Sequence, residues 1–144
     1  MEVSTEGLIE PVWTNSFIQF CDRLLMVRGR EDWEVSCLLC DEATIRELNA
    51  TYRNIDAPTD VLSFQLGERD EAGMWIAGDI VICLPMVIQN ARDFGVSQEE
   101  ELKRVTIHAI LHLEGFDHET NAQNEPMLVL QEDILKMLKG ERIF

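Results

Sequence analysis

All three histidines of the 144-residue chain fall within eleven residues, His108-Ala109-Ile110-Leu111-His112-Leu113-Glu114-Gly115-Phe116-Asp117-His118. His108 and His112 are four positions apart, the spacing that stacks two side chains on one helical face. Gly115 follows, and glycine takes positive φ at no steric cost, so the backbone can leave the helix there. A turn at that point swings His118 back toward the other two. Three neutral imidazoles converging from a helix and its exit turn form a tripod for one divalent metal, with a fourth position open to water. Single scattered histidines would read as ordinary half-buried residues; the chain's whole supply at ligand spacing does not. An open position marks a catalytic metal, because the ion lowers the pKa of its bound water toward about 7. Zinc is the expected ion, although nickel, copper and cobalt also suit three imidazoles.

The helix that must carry the first two histidines starts at a capping box, Ser97-Gln98-Glu99-Glu100, with Ser97 as N-cap. After Arg104 it is apolar almost all round (Val105, Ile107, Ala109, Ile110, Leu111), which predicts a helix lying in the core. The metal-binding helix is therefore expected at the centre of the domain. Around it, Phe17, Ile18, Phe20, Cys21, Leu24 and Leu25 predict an amphipathic helix from a cap at Thr14 or Asn15 to about Arg28, stopped by Gly29. Asp41 caps a helix with Ile45, Leu48 and Tyr52 on one face, ending near Arg53. Pro85 opens a helix reaching Phe94-Gly95, and Pro126 to Leu138 forms a last amphipathic one. Strands are expected at Trp33 to Cys40, Val61 to Leu66 and Trp75 to Leu84, with residues 1–12 as a further strand or a fraying end. Gly67 to Gly73 reads as a polar loop, and Gly78 as a bulge or close backbone approach. Phe20, Phe64 and Trp75 read as core. Three or four strands with about five helices, and no linker or repeat, predict one compact α+β domain spanning residues 1–144, with a small mixed sheet.

The net charge of −15 opposes non-specific binding to nucleic acid, so a polyanionic partner must be met at a local basic patch. No basic and apolar leader opens the sequence, and no run approaches the roughly 18 apolar residues of a membrane span. A reducing cytoplasm and free thiols are expected for Cys21, Cys37, Cys40 and Cys83. Cys37 and Cys40 have the C-x-x-C spacing, but on a strand positions three apart face opposite sides of the sheet. They read as core and edge thiols.

The eleven-residue frame is similar to the metzincin protease pattern H-E-x-x-H-x-x-G-x-x-H in its histidines and glycine. The general-base Glu after the first histidine is replaced by Ala109, which cannot move a proton, so peptide hydrolysis by that route is disfavoured. The run H-A-I-L-H-L-E-G-F-D-H instead resembles the YbeY motif H-G-x-L-H-L-x-G-[YF]-D-H. Leu48-Asn49-Ala50-Thr51-Tyr52-Arg53, then Pro58-Thr59-Asp60-Val61-Leu62-Ser63-Phe64, resembles that family's L-N-x-x-[FY]-R and P-T-D-V-L-S-F blocks. Gly78-Asp79-Ile80-Val81-Ile82 resembles its G-D-I-x-I block, and the blocks fall in family order. Two departures stand out: Ala109 for the usual Gly, and Asn54-Ile55-Asp56-Ala57 where the family carries a basic residue.

The resemblance implies a metal-dependent endoribonuclease acting on single-stranded RNA, in maturation of the 3′ end of small-subunit rRNA and in ribosome quality control. It implies Zn2+ held by His108, His112 and His118, and Arg53 facing the metal across a cleft, its guanidinium paired with a phosphate. The small ribosomal subunit and its proteins, and a ribosome-assembly GTPase, are the partners it suggests. Thr59 and Asp60 suit either turn hydrogen bonds or substrate contact. Asp79 and Asp117 are candidates to orient the metal-binding imidazoles. Two competing readings are a ribosome-biogenesis binding factor with a structural metal, which the acidic charge favours, and another metzincin-like metallohydrolase.

Overall fold

The computed structural model describes all residues from Met1 to Phe144. Its four strands are β1 (Glu2–Glu6), β2 (Trp33–Cys40), β3 (Val61–Arg69) and β4 (Trp75–Cys83). Its five helices are α1 (Thr14–Val27), α2 (Glu42–Arg53), α3 (Leu84–Phe94), α4 (Gln98–Leu113) and α5 (Pro126–Met137). The sheet order is β1-β2-β4-β3, with β1, β2 and β4 parallel and β3 antiparallel on β4. This is the mixed α+β sheet the sequence predicts. The N-terminal residues do pair, with Val3 opposite Cys37.

Alternation along β2 explains the layering. Trp33, Val35, Cys37 and Leu39 point into a core of 25 buried residues shared with α1, α4 and α5. Cys40 points the other way, into a five-residue cluster with Ile45 of α2, Leu62, Val81 and Cys83. A strand covered on both faces needs a nearly continuous apolar run, and β2 has one. The two cysteines of the C-x-x-C therefore sit in different cores, and burial raises the pKa of both thiols. Both are inert packing groups, and neither is an edge thiol: α2 covers the face on which Cys40 lies.

Three boundaries differ from the sequence reading. Helix α1 begins at Thr14 itself, with Trp13 at the cap position and no side-chain cap. The Thr14 hydroxyl donates backward to the Pro11 carbonyl at 2.7 Å, so it closes the preceding turn and leaves the helix uncapped. Strand β3 runs on through Gly67 to Arg69, into the expected loop, because Glu68 and Arg69 pair with Ile76 and Trp75 past a bulge. The turn that remains is closed by the Asp70 carboxylate, which accepts from the backbone N–H groups of Ala72 and Met74, both at 2.9 Å. Strand β4 ends at Cys83, and Leu84 already belongs to α3.

Gly78 is the close backbone approach its position suggested. Its φ is +145°, and a Cβ there would lie 2.0 Å from the Phe64 carbonyl oxygen. Only glycine lets β3 pair with β4 at that distance beside the bulge. The close pairing fixes where Phe64, and the residues stacked on it, stand.

Candidate metal centre

Helix α4 is built to deliver its histidines rigidly. The Ser97 hydroxyl accepts from the Glu100 backbone N–H at 3.1 Å, and Glu99, Glu100 and Glu101 place negative charge at the positive end of the helix. The Glu100 side chain turns outward to pair with Arg104 at 3.2 Å instead of bonding back to the cap. Leu102, Ile107, Ala109, Ile110 and Leu111 are essentially inaccessible, so the helix is gripped on nearly every side. His108 and His112 emerge together, their ring centroids 4.6 Å apart.

The chain leaves the helix as Gly115 permits. Its φ is +99°, and the N–H of Phe116 reaches back to the Leu111 carbonyl at 3.0 Å. His118 then returns to within 5.3 Å of His108 and 5.8 Å of His112, centroid to centroid. One ligand atom from each of the three lies within 4.8 Å of the other two.

The surroundings of the rings decide whether those atoms fit a cation. His108 Nδ1 lies 2.7 Å from Gln131 Oε1, His112 Nδ1 lies 3.0 Å from the Phe116 carbonyl, and His118 Nδ1 lies 2.8 Å from the Thr120 carbonyl. All three partners are acceptors, so each neutral ring carries its proton on Nδ1 and leaves Nε2 bare. Burial is the largest cause lowering the pKa of His108 and of His112, which favours those neutral rings. The Nε2 atoms of His108 and His112 face one another at 3.0 Å. Convergent imidazole lone pairs, each ring held from behind by an oxygen, fit a divalent metal of the zinc class.

The exit turn is also tied from a distance. Glu114, with only 2% of its side chain exposed, accepts a bidentate pair from Arg28 at 2.8 and 2.9 Å. Arg30 adds a longer contact at 3.4 Å. The end of α1 thus holds the turn between the second and third histidines.

A cleft of about 810 Å3 opens beside the tripod, with His108, His112, Gly115, Phe116 and Asp117 on one wall. Arg53, Ile55 and the β3 residues Ser63, Phe64 and Gln65 form the other. Arg53 ends α2 and is followed by Asn54 in the left-handed conformation, φ 58°. Its Nη2 donates to the Ser63 carbonyl, and its guanidinium carbon sits 5.3 Å from the centre of the Phe64 ring. Gln65 donates to the carbonyls of His112 and Leu113 at 2.9 and 3.3 Å, tying this wall to α4.

The other candidate residues separate. Asp60 accepts from Asn90 at 3.2 Å and from the Thr59 hydroxyl at 3.4 Å, which are turn and packing contacts, while Thr59 lines the cleft. Asp79 is exposed on the sheet, away from the tripod, and orients no histidine. Asp117 accepts from the His118 backbone N–H at 2.8 Å and makes no hydrogen bond to an imidazole. The residue that reaches His108 is Gln131, which the sequence reading missed. The signal was available: Gln131 sits four after Met127 and four before Leu135, a polar residue on the buried stripe of α5.

The chain matches the family described as Endoribonuclease YbeY over residues 6–139. The chain belongs to the YbeY family. It is 45% identical over 142 residues to the Endoribonuclease YbeY of Treponema denticola, covering 96% of this chain and 90% of that one. Against the Endoribonuclease YbeY of Borreliella burgdorferi it is 45% identical over 139 residues, covering 90% and 88%. The solution structure of TM1509 from Thermotoga maritima superposes with a TM-score of 0.67 at 33% identity, covering 96% of this chain and 90% of that one. Within the YbeY frame, Ala109 is fully buried in the main core, so the position that carries the base in a metzincin is here a packing residue. No helix is long and apolar enough to cross a membrane.

Proposed function

We propose that residues 1–144 form a single metallohydrolase domain, a metal-dependent endoribonuclease that cleaves single-stranded RNA during maturation of the small-subunit rRNA 3′ end. The observation that carries this reading is a three-histidine cluster, two of whose members, His108 and His112, line one cleft with Arg53, in a YbeY-family chain. His108, His112 and His118 would hold one Zn2+, which when bound supplies a Lewis acid and an ionisable water.

The chain's own residues do the rest. Arg53 is held by the Ser63 carbonyl and the Phe64 ring, which leaves further guanidinium N–H groups for a phosphate oxygen. Fixed in advance, that cation stabilises the charge that builds up at phosphorus. Ile55 and Phe116 line the same cleft and are 53% and 39% exposed, offering apolar surface to an unstacked base. Duplex RNA has no exposed base faces to give them, so the cleft suits a single strand.

A net charge of −15 opposes polyanions overall, so RNA must be met locally, at Arg53, and the same charge favours basic proteins as escorts. The small ribosomal subunit with its basic proteins, acting in quality control, fits that requirement, and a ribosome-assembly GTPase is a further candidate. The working compartment is then the cytoplasm.

The test is cleavage of a small-subunit rRNA 3′ fragment by purified protein, beside His112→Ala and a chelated sample. Cleavage confined to the metal-loaded wild type supports the reading. Equal cleavage in all three samples would defeat it.

A further inference from the structure

The tripod's first ligand is governed from another helix. Gln131 of α5 is 7% exposed and lies 2.7 Å from His108 Nδ1 through its side-chain oxygen. An amide could in principle present either its oxygen or its nitrogen to an imidazole. Here the choice is made by the next residue. Gln131 Nε2 donates to the Glu132 carboxylate at 3.1 Å, and a carboxylate can only accept. Glu132 is in turn held by Arg104, whose Nε and Nη2 both lie 3.1 Å from its oxygens. Arg104 is four residues before His108, on the same face of α4. The loop of contacts is closed: Arg104 fixes Glu132, Glu132 fixes the Gln131 amide, and that amide fixes the proton of His108.

We propose that Gln131 is a positioning residue for the metal centre, and that the Arg104–Glu132 pair keeps it in the orientation that leaves His108 Nε2 free. This rests on the tripod being a metal site. With the amide reversed, its N–H would face Nδ1, the His108 proton would move to Nε2, and the ring could not bind a cation without losing it. Outer partners of this kind commonly change metal affinity by about 10–100-fold.

The experiment uses Gln131→Leu, the double variant Gln131→Glu with Glu132→Gln, and Glu132→Ala, with two readouts. One is the 15N chemical shifts of His108 in metal-free protein, which report the tautomer. The other is Zn2+ affinity by competition with a chromophoric chelator. Gln131→Leu should give a mixed His108 tautomer and bind Zn2+ about 10–100-fold more weakly. Gln131→Glu made together with Glu132→Gln keeps an acceptor against Nδ1 and a donor–acceptor contact between the two side chains, and should restore both to near the wild type. Glu132→Ala changes a half-exposed position and frees the amide to flip; a mixed tautomer with several-fold weaker binding is expected. It decides the matter if Gln131→Leu does not fold. An unchanged tautomer and unchanged affinity in a folded Gln131→Leu, or failing that in Glu132→Ala, overturns the proposal while leaving the metal site standing. A wild-type protein that takes up no Zn2+ sinks the metal reading itself, and this proposal with it.

Discussion

His108 and His112 point bare Nε2 atoms at each other across 3.0 Å, because both rings spend their proton on an oxygen behind them. Two lone pairs at that distance repel, and a cation held between them and His118 would turn the repulsion into coordination. Adding Zn2+ should therefore stabilise the fold by mass action. At a hundredfold excess over Kd the gain is about 2.7 kcal/mol. Thermal melts with and without Zn2+ check it, and His112→Ala should show neither the shift nor a bound equivalent of metal.

Acid should weaken the metal-free protein through the same two rings. Burial lowers the folded-state pKa of His108 and His112 from 6.5, so the folded protein prefers them neutral while the unfolded chain protonates them first. Their contribution is fully present above pH 6.5 and is lost as pH falls through the lowered folded values. Denaturant titrations of metal-free protein across that window should show the decline, and His112→Asn should show less of it.

Arg53 is exposed, and its partners are a carbonyl and an aromatic face. Arg53→Ala should leave stability within about 0.5 kcal/mol and metal content unchanged, yet lower RNA cleavage about 100-fold or more. Arg53→Lys should recover little, since an ammonium cannot reproduce the planar fork. A drop in metal content alongside activity would assign Arg53 a structural role instead.

Glu114 carries a buried carboxylate against Arg28. Arg28→Met removes the bidentate partner and leaves only the longer Arg30 contact, which should cost about 3 kcal/mol in urea unfolding. His118 should also lose register with the tripod, so Zn2+ affinity should fall in the same variant.

Gly78→Ala asks β3 to move away from β4, since the new Cβ would meet the Phe64 carbonyl oxygen at 2.0 Å. A loss of about 3 kcal/mol or more is expected, together with weaker substrate binding as Phe64 and Arg53 shift. An ordinary melt for this variant would refute the close-pairing account.

The tripod and its helix were legible because two periodicities coincided: ligand spacing at His108 and His112, and an apolar face on almost every side of α4. Strand β2 was legible at both ends for a similar reason, its run being apolar enough for two covered faces. The far end of β3 was not, since Gly67, Glu68 and Arg69 look like loop residues and are strand only because β4 pairs with them past a bulge. The acceptors behind the rings were the least legible part. Two of the three are backbone carbonyls, which any residue supplies, and Asp79 and Asp117 looked better placed in sequence than they are in space. Gln131 alone left a trace, as a polar interruption of a buried stripe.

The Arg28–Glu114 pair joins residues 86 positions apart, and it bears on transplantation. The eleven residues from His108 to His118 contain every imidazole of the site but neither Arg28 nor Gln131. Grafted onto a foreign helix, they would carry the ligands while leaving the exit turn untethered and the first ring free to choose its tautomer. A designer wishing to borrow this centre must take the end of α1 and a face of α5 with it; the smallest portable unit is three helices.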